Sequence, residues 1–154
     1  MTKVSNLVVI MKTIALFFVI PLVSILWFLP NERVLKRDKE IEHILSKECQ
    51  NDFCVQYALV ATEEGYFHCY GCAEGQIYLY PGEIWKYGKT CKGESGRYPN
   101  GFPVPNLKFV IQFEGTESEC LVEEKRKIYA YESLPECQKR NIKLPRPPGN
   151  KIDR

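Results

Sequence analysis

The chain has 154 residues, of which 21 are Lys or Arg and 19 are Asp or Glu, so its formal net charge at pH 7 is only +2. So small a charge excludes the strong overall positive field of an abundant nucleic-acid-binding protein, and any phosphate binding must depend on a local cluster. The residues after about the first 40 are enough for one domain with one modest core.

An almost wholly apolar run covers residues 7–29, with Lys12 as its single charge. About 20 residues of helix cross a bilayer, so residues 1–30 are predicted to hold a transmembrane anchor or signal-anchor. A cleaved signal peptide is the alternative, although residues 25–30 offer no pair of small residues for cleavage. The first interpretation predicts a single-pass membrane protein that contacts the lipid bilayer through residues 7–29.

The charges and the cysteines disagree about the side of the membrane on which the rest of the chain lies. Residues 31–47 are rich in charge and predict a juxtamembrane helix or stalk, whose cations would keep the following part in the cytoplasm. All seven cysteines follow the apolar run, which favours an oxidising compartment if they are bridged. We therefore favour an extracytoplasmic domain.

The first four cysteines form two close pairs, Cys49 with Cys54 and Cys69 with Cys72, within residues 48–74, where we expect a cysteine-bearing β-hairpin. The spacing fits a four-cysteine zinc site. It also fits disulfides within each pair, with a third bond among the three later cysteines and one thiol left over. Unpaired structural thiols are a third possibility, and the sequence leaves all three open.

A second β-hairpin is predicted at residues 75–80 and 83–90, two runs rich in β-branched and aromatic residues that flank a Pro-Gly dipeptide. Because side chains alternate faces along a strand, Tyr78 and Tyr80 are expected to share one face. Tyrosines of this kind are common structural residues on half-buried strands, so the pattern alone does not establish a site.

The second strand of this hairpin carries Trp85, Tyr87 and Lys89, which the same alternation places on one face. Lys89 belongs to a group of cations that ends at Arg97. A surface that combines phenols, an ammonium group and a guanidinium group suits phosphate.

A helix is predicted at about residues 117–131, after an apolar strand at residues 107–113. Thr116 and Glu119 have the spacing of a capping box at its start. Together with the hairpins, these elements predict an α+β fold: a small antiparallel β-sheet with flanking helices, preceded by an N-terminal transmembrane helix.

Glu124 is expected to point into the protein, because helical periodicity places it on the same apolar stripe as Ile128 and Tyr131. A buried carboxylate is costly unless it is paired or coordinates a cation. Glu123, by contrast, is expected to lie at the surface and to pair with Lys127 one turn later.

The order of these elements resembles the GIY-YIG endonuclease superfamily, and its polymorphic-toxin branch in particular. Gly-Gln-Ile-Tyr at residues 75–78 is similar to the first half of the name motif with one residue inserted. Tyr-Gly-Lys-Thr at residues 87–90 is similar to the second half without its isoleucine. The resemblance implies a GIY-YIG-like domain over residues 75–154.

The resemblance implies a membrane-anchored or exported nuclease, related to toxins, that acts on nucleic acid with a divalent cation. Glu124 would hold Mg²⁺ or Mn²⁺, and Arg97, about ten residues after Tyr87, would contact the scissile phosphate. Such a cation neutralises charge that develops on a phosphoryl group.

Four further residues gain roles from the same resemblance. Tyr78 or Tyr87 would assist the attacking hydroxide, and Lys89 would lower the pKa of the phenol from about 10. Asn150, which follows a proline-rich approach, would orient one of these groups by hydrogen bonding.

The competing interpretation is a non-enzymatic, cysteine-stapled and membrane-tethered binding domain with a degenerate nuclease fold, for a protein partner of unknown identity. The two interpretations differ in where Glu124 lies. A cleft that Glu124 shares with Arg97 and the tyrosines favours the enzyme, whereas an ion pair from Glu124 to a distant structural lysine favours the binding domain.

Overall fold

The computed structural model describes residues 31–46 and 53–152. The contacts between residues divide the chain between residues 35 and 36, and the candidate site lies in the unit that begins at residue 36. The predicted membrane anchor at residues 1–30 and Cys49 lie outside the described residues. Among the described helices, none is long and apolar enough to cross a membrane.

The described residues form an α+β fold, as the sequence predicts, and its first helix falls within the charged segment at residues 31–47. The elements in chain order are α1 (Glu32–Leu45), β1 (Cys54–Ala61), β2 (Gly65–His68), β3 (Gln76–Leu79), β4 (Ile84–Thr90), α2 (Gly93–Arg97), β5 (Leu107–Gly115), α3 (Glu117–Ala130), a 3-10 turn (Tyr131–Ser133) and α4 (Pro135–Gln138).

The main sheet is antiparallel and has three strands in the order β4-β1-β5. All eight residues of the central strand β1 are buried, because both faces of the sheet are covered. Helix α3 packs on one face, where Ala58 and Val60 of β1 contact Ile128. The β2–β3 pair covers the other face, where Leu59 of β1 meets Leu79. The helix therefore packs on one face of the main sheet, and the small second sheet packs on the other.

The two predicted hairpins are wrong in their strand pairing, although their strands exist. β3 pairs with β2, and β1 pairs with β4 and β5, so neither the described residues 53–74 nor the strands on either side of the Pro-Gly turn form a hairpin. The turn itself is present, with the Glu83 N–H donating to the Tyr80 carbonyl at 3.0 Å. The turn bonds to the end of β1, since the Gly82 N–H donates to the Ala61 carbonyl at 2.9 Å and the Ala61 N–H donates to the Glu83 carbonyl at 2.9 Å.

A β-bulge at Trp85 changes the faces on which the side chains of β4 lie. The register of β4 against β1 passes over Trp85, which is the extra residue of the bulge. Trp85 therefore packs in the cluster beneath the β2–β3 pair, whereas Tyr87 packs with Ile128 beneath α3. The prediction that Trp85 shares a face with Tyr87 and Lys89 is wrong, because the bulge inverts the alternation.

Helix α3 begins where the sequence predicts. The Thr116 hydroxyl accepts from the Glu119 N–H at 3.4 Å, and the Glu119 carboxylate accepts from the Thr116 N–H at 2.8 Å. These two bonds form the capping box and satisfy donors that the first turn of a helix leaves without partners.

The inward face of α3 is also as predicted, since Glu124, Ile128 and the following Tyr131 are all buried. The outer face differs from the prediction. Glu123 pairs with Arg126 at 2.6 Å and not with Lys127. The Lys127 ammonium instead donates to side-chain carbonyls of the sheet, at 2.7 Å to Gln56 and 2.8 Å to Gln112.

The described cysteines form two disulfides, Cys54–Cys91 and Cys69–Cys72. The second bond agrees with the disulfide alternative, but the predicted bond between Cys49 and Cys54 is wrong, because the antiparallel pairing of β1 and β4 brings Cys54 beside Cys91. A zinc site on the four predicted cysteines is incompatible with these bonds, since three of the sulfurs are no longer thiolates. Two described cysteines are free and buried, Cys120 and Cys137.

Candidate functional site

A cleft of about 370 Å³ runs along the outer edge of β4. It takes residues from β4, from the end of α2, from α3 and from the last described residues. The residues that line it are Tyr70, Trp85, Lys86, Gly88, Lys89, Arg97, Pro103, Glu124, Gly149, Asn150, Lys151 and Ile152. Four of the six residues that the sequence assigned to catalysis therefore meet in one place: Lys89, Arg97, Glu124 and Asn150.

One wall of the cleft is residues 147–150, here called the C-terminal strap. The strap lies against β4, whose outer edge has no neighbouring strand in the described sheet. The Tyr87 N–H donates to the Asn150 Oδ1 atom at 3.0 Å, and the Asn150 Nδ2 group donates to the Tyr87 carbonyl at 3.0 Å. The Gly149 N–H adds a bond of 2.7 Å to the Trp85 carbonyl. The strap thus satisfies backbone groups that an edge strand would leave open.

Two glycines in the cleft permit close packing that any larger residue would prevent. A Cβ atom on Gly149 would lie 2.7–2.8 Å from carbon atoms of the Trp85 indole. A Cβ atom on Gly88 would lie 2.4 Å from the Tyr57 ring. The strap and the floor of the cleft therefore depend on these positions having no side chain.

The charges around the cleft are strongly unequal. Lys86, Lys89, Arg97 and Lys151 line it, and Glu124 is the one carboxylate among its described lining residues. Glu124 is only 4% exposed. The cleft therefore has a local positive field, which the small net charge of the whole chain conceals.

Lys89 does not offer its full charge to the cleft. Its ammonium group forms an ion pair with Glu117 at the start of α3, and both side chains are mostly buried. A second cavity of about 350 Å³ shares Lys89 and Arg97 with the cleft and adds Lys92 to its lining. The cationic surface thus continues past the end of β4, and Glu117 partly neutralises it at this point.

Arg97 is held by two tyrosines that the sequence analysis did not single out. The hydroxyls of Tyr57 and Tyr98 lie 2.7 Å apart, and hydrogen bonding to the Tyr57 hydroxyl raises the pKa of Arg97. The guanidinium also lies 6.0 Å from the centre of the Tyr98 ring. The Arg97 guanidinium is therefore charged and held beside these two tyrosines. Tyr57 was missed because its strand was assigned to another hairpin.

The two tyrosines that the sequence assigned to catalysis are not among the lining residues of the cleft. Tyr78 lines a separate cavity of about 560 Å³ near α4, where the Arg140 guanidinium donates to the Tyr78 carbonyl at 2.9 Å. The Tyr87 phenol is buried in the core, and this burial raises its pKa far above the ordinary value. The expectation that Lys89 lowers the pKa of a catalytic phenol is therefore wrong.

The described residues offer one carboxylate for a metal ion in the cleft. No group of three or more His, Cys, Asp or Glu side chains within residues 31–46 and 53–152 is arranged to hold a metal. Magnesium commonly binds through one or two carboxylates and takes water and substrate phosphate for its other ligands. A single buried carboxylate that lines a cleft together with cations, as Glu124 does, fits that kind of shared site.

Comparisons of the chain with protein-family models, with curated proteins and with solved structures found no match. The functional interpretation therefore depends on the geometry of the cleft. Two of its cations, Lys86 and Lys151, were missed by the sequence analysis. Lys86 could have been found from the alternation of side chains along the strand, because it lies two residues before Gly88 and therefore on the same face. Nothing in the sequence distinguishes Lys151 from other lysines near the chain end.

Proposed function

We propose that the cleft along β4 binds the phosphodiester backbone of a nucleic acid and cleaves it with the help of a divalent cation. The observation that carries this proposal is the meeting of Arg97, Glu124 and Asn150, which come from three distant parts of the sequence. Lys86 and Lys151 join them in the same cleft. Cations grouped around one buried carboxylate suit a phosphate together with a metal ion.

In this proposal Glu124 holds the cation, which is Mg²⁺ or Mn²⁺. When bound, the ion supplies positive charge that stabilises the phosphoryl oxygens during cleavage. The carboxylate lies among lysines and an arginine, so a phosphate drawn in by those cations would arrive beside the metal ligand.

The residues of the chain itself bind and orient the phosphate. Arg97 donates hydrogen bonds to phosphate oxygens, and its interactions with Tyr57 and Tyr98 fix the position of its guanidinium. Lys86 and Lys151 attract the neighbouring phosphates as point charges. Both ends of the Asn150 amide are engaged with β4, so its role is to hold the strap in place.

The proposal keeps the GIY-YIG resemblance but changes one of its residues. β4 carries the Tyr-Gly half of the motif, and the strand hydrogen-bonded to it is β1, not β3. Tyr57 therefore replaces Tyr78 as the tyrosine beside the Tyr87-Gly88 pair. Neither Tyr78 nor Tyr87 has a part in activating the nucleophile, because one lines another cavity and the other is buried.

The proposed setting is outside the cytoplasm, either anchored in a membrane through residues 7–29 or exported. Two disulfides in a unit of this size support an oxidising compartment, since cytosolic proteins seldom keep such bonds. A nuclease in that position would meet incoming nucleic acid or would act on competing cells as a toxin does.

The second candidate function is a binding domain that does not cleave. One specific observation favours it: neither Tyr78 nor Tyr87, the two tyrosines expected to assist a nucleophile, is among the described residues that line the cleft. The cations would still bind a polyanion in that case. Binding without cleavage is therefore the outcome that separates the two functions.

The test is incubation of the full-length protein, in mild detergent, with plasmid DNA and with RNA, in Mg²⁺ or in EDTA. Arg97→Ala and Glu124→Gln are compared with the matched controls Arg126→Ala and Glu123→Gln, an ion pair on the outer face of α3. Metal-dependent cleavage that only the first two variants lose supports the nuclease. Binding with no cleavage supports the binding domain, and the absence of both removes the proposal.

A further inference from the structure

A row of exposed aromatic rings crosses the outer face of the β2–β3 pair. Tyr66 and Tyr78 are opposite each other in the register, and their rings pack edge to face at 5.2 Å. Tyr80 follows Tyr78 at 5.3 Å, and His68 lies 4.4 Å from Tyr70. Here these five residues are called the aromatic row.

The exposure of the aromatic row is not a result of loose packing. Phe67 and Leu79, on the inner face of the same strands, are buried in the core. Tyr66 is nevertheless 70% exposed, and Tyr70 is 47% exposed. Exposed rings of this size are seldom left in one contiguous group unless they form a binding surface.

One end of the aromatic row reaches the proposed cleft. Tyr70 is itself a lining residue of the cleft, and the Lys151 ammonium lies 4.8 Å from the centre of its ring. The Tyr70 N–H donates to the Pro148 carbonyl of the C-terminal strap at 2.9 Å, which fixes this end of the row against the wall of the cleft. Tyr70 thus belongs to both the aromatic row and the lining of the cationic cleft.

We propose that the aromatic row binds the bases of a single-stranded nucleic acid while the phosphates of the same strand enter the cleft. Aromatic side chains that stack on bases, beside a positively charged groove that follows the backbone, are the usual combination in single-strand recognition. A duplex buries the faces of its bases, so it can use the cations but not the rings. The inference rests on the proposed function and names the class of its substrate.

The charges around the row decide which part of it meets the strand. At the Tyr80 end, the carboxylates that line the nearby cavity, Glu83 and Glu136, are balanced by Lys139 and Arg140, so no excess positive charge attracts phosphate there. At the Tyr70 end, Lys86 and Lys151 attract it. The bases are therefore expected to stack on Tyr66, His68 and Tyr70, with the backbone passing toward β4.

The experiment measures fluorescence anisotropy of a labelled 12-nucleotide deoxythymidine strand and of the same strand in a duplex. The full-length protein is used in mild detergent and in EDTA, so that no cleavage occurs. The test variants are Tyr66→Ala and Tyr70→Ala, and the matched variants Tyr66→Phe and Tyr70→Phe keep the rings. Ile142→Ala changes an exposed apolar residue that is not in the row.

Each alanine variant is expected to weaken single-strand binding by at least about fivefold, since stacking on one base is worth about 1–3 kcal/mol. The phenylalanine variants and Ile142→Ala are expected to bind as the wild type does. Duplex binding should be unchanged in the Tyr66 variants and in Ile142→Ala, and Tyr70→Ala should weaken single-strand binding more than duplex binding. Arg97→Ala should weaken the binding of both nucleic acids, because it acts on the phosphates.

Single-strand binding that survives both alanine substitutions but is lost in Arg97→Ala would overturn the proposed role of the aromatic row. The cleft would remain the proposed phosphate site. Equal losses for strand and duplex would overturn it as well, because the rings would then not be reading unpaired bases. A wild-type protein that binds neither nucleic acid would overturn the proposed function together with this inference.

Discussion

The carboxamide of Asn150 bonds to both the N–H and the C=O group of Tyr87, at 3.0 Å each, and so acts as one rung of a β-ladder. A single side chain here replaces the backbone of a neighbouring strand. It holds the C-terminal strap against β4, and the strap in turn forms a wall of the cleft. The chain end and the cleft are therefore expected to lose their structure together.

Asn150→Ala should lower the free energy of unfolding by about 2–4 kcal/mol, because it leaves two buried backbone groups without partners. Asn150→Asp should cost at least as much at neutral pH, since it keeps the acceptor for the Tyr87 N–H but turns a buried carboxylate oxygen toward the Tyr87 carbonyl. Urea denaturation of the three proteins measures the order. Asn141→Ala, at an exposed position, is the control. Equal stability of Asn150→Ala and the wild type would contradict the role of the amide.

Gly88→Ala should destabilise the fold by about 1–3 kcal/mol or more, as overpacking does in other cores. The added Cβ would lie 2.4 Å from the Tyr57 ring. That ring cannot move away easily, because it is fully buried and stacks on Phe109 at 4.2 Å between centres. Gly65→Ala is the matched control, since its Cβ would meet nothing within 4 Å. The urea midpoints of the two variants make the comparison, and equal midpoints would refute it.

Stability should fall at alkaline pH. Burial raises the pKa of Tyr87 and Tyr131 well above the usual value near 10. Above about pH 10 the unfolded chain releases phenol protons that the folded chain keeps, so the unfolded state binds fewer protons and the free energy of unfolding decreases. Below about pH 10 this contribution is fully present.

The expected slope is about 1.4 kcal/mol per pH unit for each of these tyrosines. Tyr87→Phe should reduce the slope by about half that amount at pH 10 and by nearly all of it at about pH 11, because one of the titrating phenols is gone. Urea denaturation at several pH values measures it. A slope that stays the same in Tyr87→Phe would mean that folding does not raise the pKa of this phenol.

The two disulfides should differ in their contribution to stability. Cys54–Cys91 spans 37 residues of sequence separation, whereas Cys69–Cys72 spans three. By the entropy of loop closure, the first is worth about 4 kcal/mol and the second about 2. Denaturation of the two double serine variants measures the difference. The reverse order would show that the loop-entropy argument does not apply here.

Glu117→Gln should strengthen the binding of single-stranded oligonucleotide severalfold at low salt, because it frees the Lys89 ammonium from its ion pair. Lys89→Met should weaken binding and reduce its salt dependence. Glu114→Gln, which removes an exposed carboxylate of β5, is the control for total charge. Fluorescence anisotropy against salt concentration gives the result, and weaker binding in Glu117→Gln would contradict the proposed competition.

The features that the sequence predicts well are local ones. The capping box at Thr116 and Glu119 depends on residues three apart, and the inward direction of Glu124 depends on the helical period. The strand positions were also largely right. In each case the physical cause lies within a few residues of the feature, so no knowledge of the tertiary fold was needed.

The features that the sequence did not predict depend on which strands meet. A Pro-Gly turn shows that the chain reverses, but it does not show which strand pairs with β4. That strand is β1, which is distant in the sequence. That pairing determines both the Cys54–Cys91 bond and the place of Tyr57 beside Gly88. The bulge at Trp85 then shifted the alternation by one residue, a change that strand periodicity cannot reveal.

The C-terminal strap has a consequence for the solubility of the chain. β4 is an edge strand, and an open edge is a template on which another chain can add a strand of its own. Gly149 and Asn150 occupy that template, and the prolines before them have no N–H group with which to extend the ladder. The same few residues that shape the cleft thus protect the sheet from self-association.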